Sequence, residues 1–184
     1  MRKLLFTMIV VFGLVVSVAA QNTVIDSKGA LGLQFSIGGN GNLGLGGTVV
    51  ALPTNSYYGI GGRYFVADKF GLGLALYIAG DDTSATDTQN FLFGIRPNLS
   101  YTLVKKGPVA LYTGGYLGLG IHNRAVVGTS TSTNVFDIGG QLGAEWAIAP
   151  QVSIAAEYAI GVTFDDGDTY WGGGNTRACL TFYF

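Results

Sequence analysis

Charge is what this 184-residue chain has least of. Asp, Glu, Lys and Arg make up 11% of it, against about 25% in an ordinary soluble domain. Cysteine occurs once, as Cys179, so no internal disulfide can staple the fold. Proline occurs four times against 30 glycines, and no three-residue glycine period runs through the chain, which excludes a collagen-like rod. Beyond residue 20 no apolar run reaches the roughly 20 residues of a helical membrane span. Basic residues do not cluster. Without Arg2 and Lys3 the balance is eight basic to eleven acidic side chains, which is no nucleic-acid footprint. What remains is apolar (48%) and aromatic (12%), and therefore not disordered. An apolar, Gly-rich, Tyr/Phe-rich chain without long apolar runs suggests many strands near lipid.

The first 20 residues have the layout of a secretory signal peptide. Arg2 and Lys3 form a charged start, Leu4 to Val16 an apolar stretch, and Ser17-Val18-Ala19-Ala20 a small-residue cleavage site. The expected cut lies between Ala20 and Gln21, leaving residues 21–29 as an N-terminal tail and 30–184 as one domain. No cysteine follows the cut, which argues against lipid attachment there.

Beyond residue 30 the sequence alternates with period two, the signature of strands with one apolar face. Eight segments show it: 31–38, 58–66, 71–79, 91–103, 109–121, 136–148, 152–162 and 175–184. In the last, Thr176, Ala178, Leu180, Phe182 and Phe184 share one face and Arg177, Cys179, Thr181 and Tyr183 the other. Connectors alternate in length. Ala67–Phe70, Val104–Pro108 and Ala149–Gln151 are tight turns, whereas 39–57, 80–90, 122–135 and 163–174 read as long polar loops. Residues 43–52 alternate weakly. They belong to the first loop or, alternatively, replace 31–38 as the first strand.

The placement of charge decides which face meets what. No charged residue falls on the apolar parity of these segments, and each would cost about 2–4 kcal/mol at a bilayer midplane. The opposite parity carries Arg63, Arg96, Arg177, Asp137, Glu145 and Glu157. A soluble barrel would show the reverse, apolar inside and charged outside. Apolar aromatics on the outward parity fall near segment ends, with Tyr64, Tyr101, Trp146, Phe182 and Phe184 at one end and Tyr58, Phe91, Phe93 and Phe136 at the other, like the two girdles of a membrane barrel. Lipid forbids open sheet edges, so the sheet should close. The expected fold is all-β: an eight-stranded antiparallel up-and-down transmembrane β-barrel.

The run Gly61-Gly62-Arg63-Tyr64-Phe65-Val66-Ala67-Asp68-Lys69, a strand entering a tight turn, and the terminal Leu180-Thr181-Phe182-Tyr183-Phe184 resemble the small outer-membrane β-barrel family that includes the transmembrane domain of outer-membrane protein A. The resemblance covers roughly residues 28–184. It implies residence in the bacterial outer membrane, contact with outer-membrane lipid, and delivery by the barrel-assembly machinery, with Leu180, Phe182 and Phe184 as the assembly signal.

Motifs of chemistry are few. Gly39-Asn40-Gly41-Asn42-Leu43-Gly44 spells a dinucleotide fingerprint but lacks the following helix that gives it meaning, so it reads as loop. Asp165-Asp166-Gly167-Asp168, and Asp81-Asp82 with Asp87, lack the twelve-residue calcium pattern and read as solvated loop charge. His122, the only histidine, stands near Ser130 and Ser132, but no spacing ties nucleophile, base and orienter together. It sits at the outer end of a strand, where it can face inward, and reads as a loop-end histidine. No cofactor or metal is expected. The six inward charges balance in sign, and buried charges must pair. They are expected to form an ion-pair network closing a lumen that eight strands leave barely wide enough for side chains. The function expected is non-enzymatic, structural or interacting with an unidentified partner through surface loops. A narrow channel for ions or small apolar molecules is the alternative, and a lipid-modifying enzyme a more distant one.

Overall fold

The structure, a computed structural model, describes residues 26–40, 56–83, 88–126, 128–165 and 168–184. The signal segment with its Ala20–Gln21 cut, the 43–52 stretch, Gly41 to Gly44 and Asp87 lie outside the described residues. Eight strands follow in order: β1 (Leu31–Asn40), β2 (Ser56–Ala67), β3 (Phe70–Thr83), β4 (Thr88–Lys106), β5 (Val109–Val126), β6 (Thr129–Ala149), β7 (Val152–Asp165) and β8 (Asp168–Tyr183). Each pairs antiparallel with its sequence neighbour, and β1 pairs with β8, closing the ring. The expected eight-stranded up-and-down barrel is what forms.

Three of the strands' connections shrink to two residues at one end of the barrel, 68–69, 107–108 and 150–151. Lys69 and Gly107 take positive φ there, 68° and 59°, the left-handed geometry that lets a two-residue link reverse a twisted ladder. A bulge precedes each turn, at Phe65/Ala67, Thr102/Val104 and Ala147/Ala149, and increases the local twist. The described part of the N-terminal tail closes over this end. Gly29 N–H donates to the Phe65 carbonyl at 2.7 Å, Lys69 N–H to the Asp26 carbonyl at 2.9 Å, and Lys105 Nζ meets Asp26 Oδ1 at 2.6 Å. Ala30 packs with Phe65 and Tyr183 beneath it.

At the opposite end the strands outrun the sequence expectation. Residues read as loops, 80–83, 88–90, 122–126, 129–135, 163–165 and 168–174, are strand. The ladder needs only backbone groups, whereas the period-two signal needs an apolar face. Apolar residues are sparse in these stretches, so the alternation fades while pairing continues. On β8 a register shift between Asn175 and Gly173 also breaks the alternation.

The pattern of exposure is inverted relative to a soluble protein. Leu72, Leu99, Leu119 and Ile138 are exposed on the outer wall, whereas Arg63, Glu145 and Gln141 are buried inside. Inward glycines supply the volume. A Cβ on Gly143 would stand 2.4 Å from Tyr112 Cζ, and one on Gly94 2.3 Å from Tyr77 Cζ, so these strands accept large inward tyrosines because the neighbouring position has no side chain. Phe182 departs from the expected exposed girdle. Its parity is outward, but Phe35 packs edge-on against it at 6.3 Å and it is only 8% exposed, whereas Phe184 is 50% exposed.

Candidate functional site

The pleat of each strand sends alternate side chains inward, and eight strands bring those side chains within reach of one another. The six charges picked out by parity are all buried. They sort into two layers. Arg63 and Glu145 stand four residues short of the ends of β2 and β6. Arg63 Nη1 lies 3.0 Å from Glu145 Oε2, and its Nη2 3.8 Å from Glu157 Oε1. Arg177 closes the layer through its own ion pair with Glu157, its cross-strand neighbour in register. The remaining carboxylate lone pairs are taken by neutral donors. Tyr183 donates to Glu145 at 2.7 Å, Ser153 also donates to Glu145, and Tyr112 donates to Glu157. The Arg63 guanidinium lies 5.1 Å from the Tyr112 ring centroid. Two acids and two bases thus cancel inside one hydrogen-bonded ring.

Arg96 and Asp137 form the second layer, further toward the long-strand end, with Arg96 Nη2 2.7 Å from Asp137 Oδ2. Two tyrosine faces hold the guanidinium, Tyr116 at 4.5 Å and Tyr77 at 5.1 Å, each adding cation–π attraction. Arg96 Nε and Asp137 Oδ1 have no hydrogen-bond partner among the described residues.

A third polar group lies at the long-strand end. His122 stands near the end of β5 and is only 8% exposed. Its Nδ1 is 3.2 Å from Asp165 Oδ2 and its Nε2 3.4 Å from Asn90 Oδ1, while Thr133 donates to Asp165 Oδ1 at 2.7 Å. Asp165, expected to be solvated loop charge, is therefore a strand residue held by two partners. The loop reading failed for Asp165 because a polar position carries no apolar alternation to mark it as strand. Ser130 and Ser132 stand on the outward parity of β6, whereas His122 pairs in register with Thr133, on the inward one. The fold does not bring these serines to the histidine. Among the described residues no three His, Cys, Asp or Glu side chains are grouped to hold a metal ion.

Sequence and structure comparisons add the lineage. A family model described as outer membrane protein beta-barrel domain matches residues 8–178. Comparison with curated proteins gives no match. Solved structures similar to the fold include the surface protein NspA from Neisseria (19% identity, 85% of this chain and 100% of that one, TM-score 0.59). The N-terminal β-barrel domain of Pseudomonas aeruginosa OprF is also similar (13%, 85% and 98%, 0.59), as is the attachment invasion locus protein Ail of Yersinia pestis (14%, 85% and 98%, 0.54). With an apolar wall facing out, charges facing in and a family match along nearly its whole length, the chain belongs to the outer-membrane β-barrel domain family and is an integral protein of the outer membrane.

Proposed function

We propose that this protein is a non-enzymatic outer-membrane barrel with a closed lumen, whose role is played on the surface by the strand ends that rise above the lipid. The observation that carries the proposal is the ion-pair filling of the interior. Arg63, Glu145, Glu157 and Arg177 in one layer and Arg96 with Asp137 in the next each sum to zero charge. A pathway for ions would have to break one of these pairs, and removing a partner from a buried pair costs several kcal/mol. The inward tyrosines Tyr77, Tyr112 and Tyr116 fill the space between. A surface role is also supported by comparison, since one structure of Ail is of its complex with the heparin analogue sucrose octasulfate (13% identity, TM-score 0.55).

The barrel-assembly machinery and outer-membrane lipid are the proposed partners during biogenesis, with Leu180, Phe182 and Phe184 presented along the outward parity of the last strand. The closed lumen is tested in liposomes loaded with the purified protein. Small sugars and salts should enter no faster than into protein-free vesicles. Rapid entry would move the channel alternative to first place.

A further inference from the structure

Every lysine after residue 20 stands at one corner of the barrel. Lys28, Lys69, Lys105 and Lys106 make up the whole set, and all four are exposed at the short-turn end. Backbone contacts fuse their segments into one platform. Lys28 N–H donates to Asp68 Oδ1 at 2.9 Å, Thr102 N–H to the Lys69 carbonyl at 2.8 Å, and Lys69 N–H to the Asp26 carbonyl at 2.9 Å. The tail, the 68–69 turn and the end of β4 thus lie side by side under β2 to β5. Across the barrel the same end is different. Among the described residues, the 150–151 turn and the short-turn ends of β1, β6, β7 and β8 carry no exposed charge.

The platform is not neutralised from within. Its four ammonium groups face two carboxylates, Asp26 and Asp68, which leaves an excess of two positive charges. Lys105 Nζ is held by Asp26 at 2.6 Å. Asp68 accepts from a backbone N–H, and among the described residues Lys28, Lys69 and Lys106 have no carboxylate at ion-pair distance. Depth selects the partner. Lys106 pairs in register with Val109, which puts it on the outward parity with Val104 and Val109, both exposed on the wall. Tyr64 and Tyr101 are exposed on the same stretch of wall, and such aromatics mark the interface between apolar chains and headgroups. Lysine stems lie along apolar surface and carry the ammonium to that level. In outer-membrane barrels short turns face the periplasm, so the anion within reach at this rim is a phosphate of the periplasmic leaflet.

We propose that this platform binds anionic phospholipid headgroups of the periplasmic leaflet, with Lys28, Lys69 and Lys106 facing the phosphates, and that the β7 side of the rim has no such preference. Charge complementarity carries the selection, because a zwitterionic headgroup offers the same phosphate with its charge already cancelled. The barrel would then hold an asymmetric lipid belt, anionic on one flank only. This goes beyond the closed lumen and the surface role, and neither depends on it.

The test uses the full mature chain in vesicles of mixed phosphatidylglycerol and phosphatidylethanolamine. Trp146→Phe and Trp171→Phe remove both tryptophans, and a single reporter is placed at Tyr101→Trp, beside the platform, or at Ile154→Trp, on β7, three strands from β2 and from β4. Both positions are exposed on the outer wall. Quenching by acyl-brominated phosphatidylglycerol, compared with brominated phosphatidylethanolamine, gives the relative occupancy beside each reporter. At position 101 phosphatidylglycerol should be preferred about fivefold at low salt, as for one cation or more at an anionic surface. At position 154 the two lipids should quench within about 1.5-fold, the expectation for a rim without charge. Replacing Lys28, Lys69 and Lys106 together by Gln should abolish the preference at 101, replacing them by Arg should keep it, and about 0.5 M salt should weaken it. The heat-induced shift on a detergent gel verifies that each variant is folded. The proposal is overturned if both lipids quench equally at 101, as they would if an acidic soluble partner were the occupant. It is also overturned if the preference survives the Gln replacements or if it is as large at 154 as at 101.

Discussion

Asp137 occupies the space that a side chain on Gly118 would need. The two residues are cross-strand partners in register, and a Cβ on Gly118 would stand 1.3 Å from Asp137 Oδ1. The carboxylate reaches Arg96 by lying over this glycine. Gly118→Ala must therefore displace Asp137 or spread β5 from β6, and crowding of that kind costs about 1–3 kcal/mol. Gly62→Ala is the matched control, because its nearest neighbour, the Gly32 carbonyl, is at 3.6 Å. Urea unfolding of the refolded barrel in detergent should show a lowered midpoint for Gly118→Ala and none for Gly62→Ala. Equal midpoints would mean that Asp137 does not depend on this glycine.

Glu157 meets two guanidinium groups, those of Arg63 and Arg177, and also accepts from Tyr112. Glu157→Ala leaves two guanidinium groups short of a counter-charge. For fully buried pairs such a loss is about 3–5 kcal/mol; trapped water lowers it, and about 2 kcal/mol is expected here. Lys106→Gln, on an exposed residue at the short-turn end, should stay within about 0.5 kcal/mol of the parent. The same unfolding assay reads both, and a neutral result for Glu157→Ala would contradict the paired lumen.

How much of this was legible in the sequence depends on what each signal measures. Parity places a residue on a face, so Arg63, Arg96, Asp137, Glu145, Glu157 and Arg177 could be assigned inward from alternation alone. Parity says nothing about which inward residues touch, so the part of Ser153 in holding Glu145, or of Tyr77 in covering Arg96, could not be read. Nor does it report neighbours on the outer wall, which is why Phe182 was expected in the girdle and is instead covered by Phe35. Where apolar residues become sparse the signal ends, and the strand residues around Asp165 were read as loop for that reason.

The last strand carries the proposed assembly signal. Phe184, outward and half-exposed, pairs by backbone with Leu31 at the β1–β8 seam, its N–H donating to the Leu31 carbonyl at 2.8 Å. Deleting Phe184 removes both the aromatic and this bond. The fraction of heat-shiftable, folded protein in isolated outer membranes should fall several-fold. An unchanged folded band would remove Phe184 from the signal.

Export makes a prediction about mass. If residues 1–20 are a cleaved signal peptide, intact-mass spectrometry of protein extracted from the outer membrane should give the chain beginning at Gln21. An intact Met1, or a mass increased by an acyl modification, would refute that processing.

The central claim is that the lumen is shut by side chains. It is tested most directly by recording single barrels of the unmutated protein in a planar bilayer across a range of voltage and salt. With Arg63, Glu145, Glu157 and Arg177 paired in one layer and Arg96 with Asp137 in the next, the account predicts a baseline with no sustained conductance above that of protein-free membrane. A large, stable open state in the unmutated protein would contradict it.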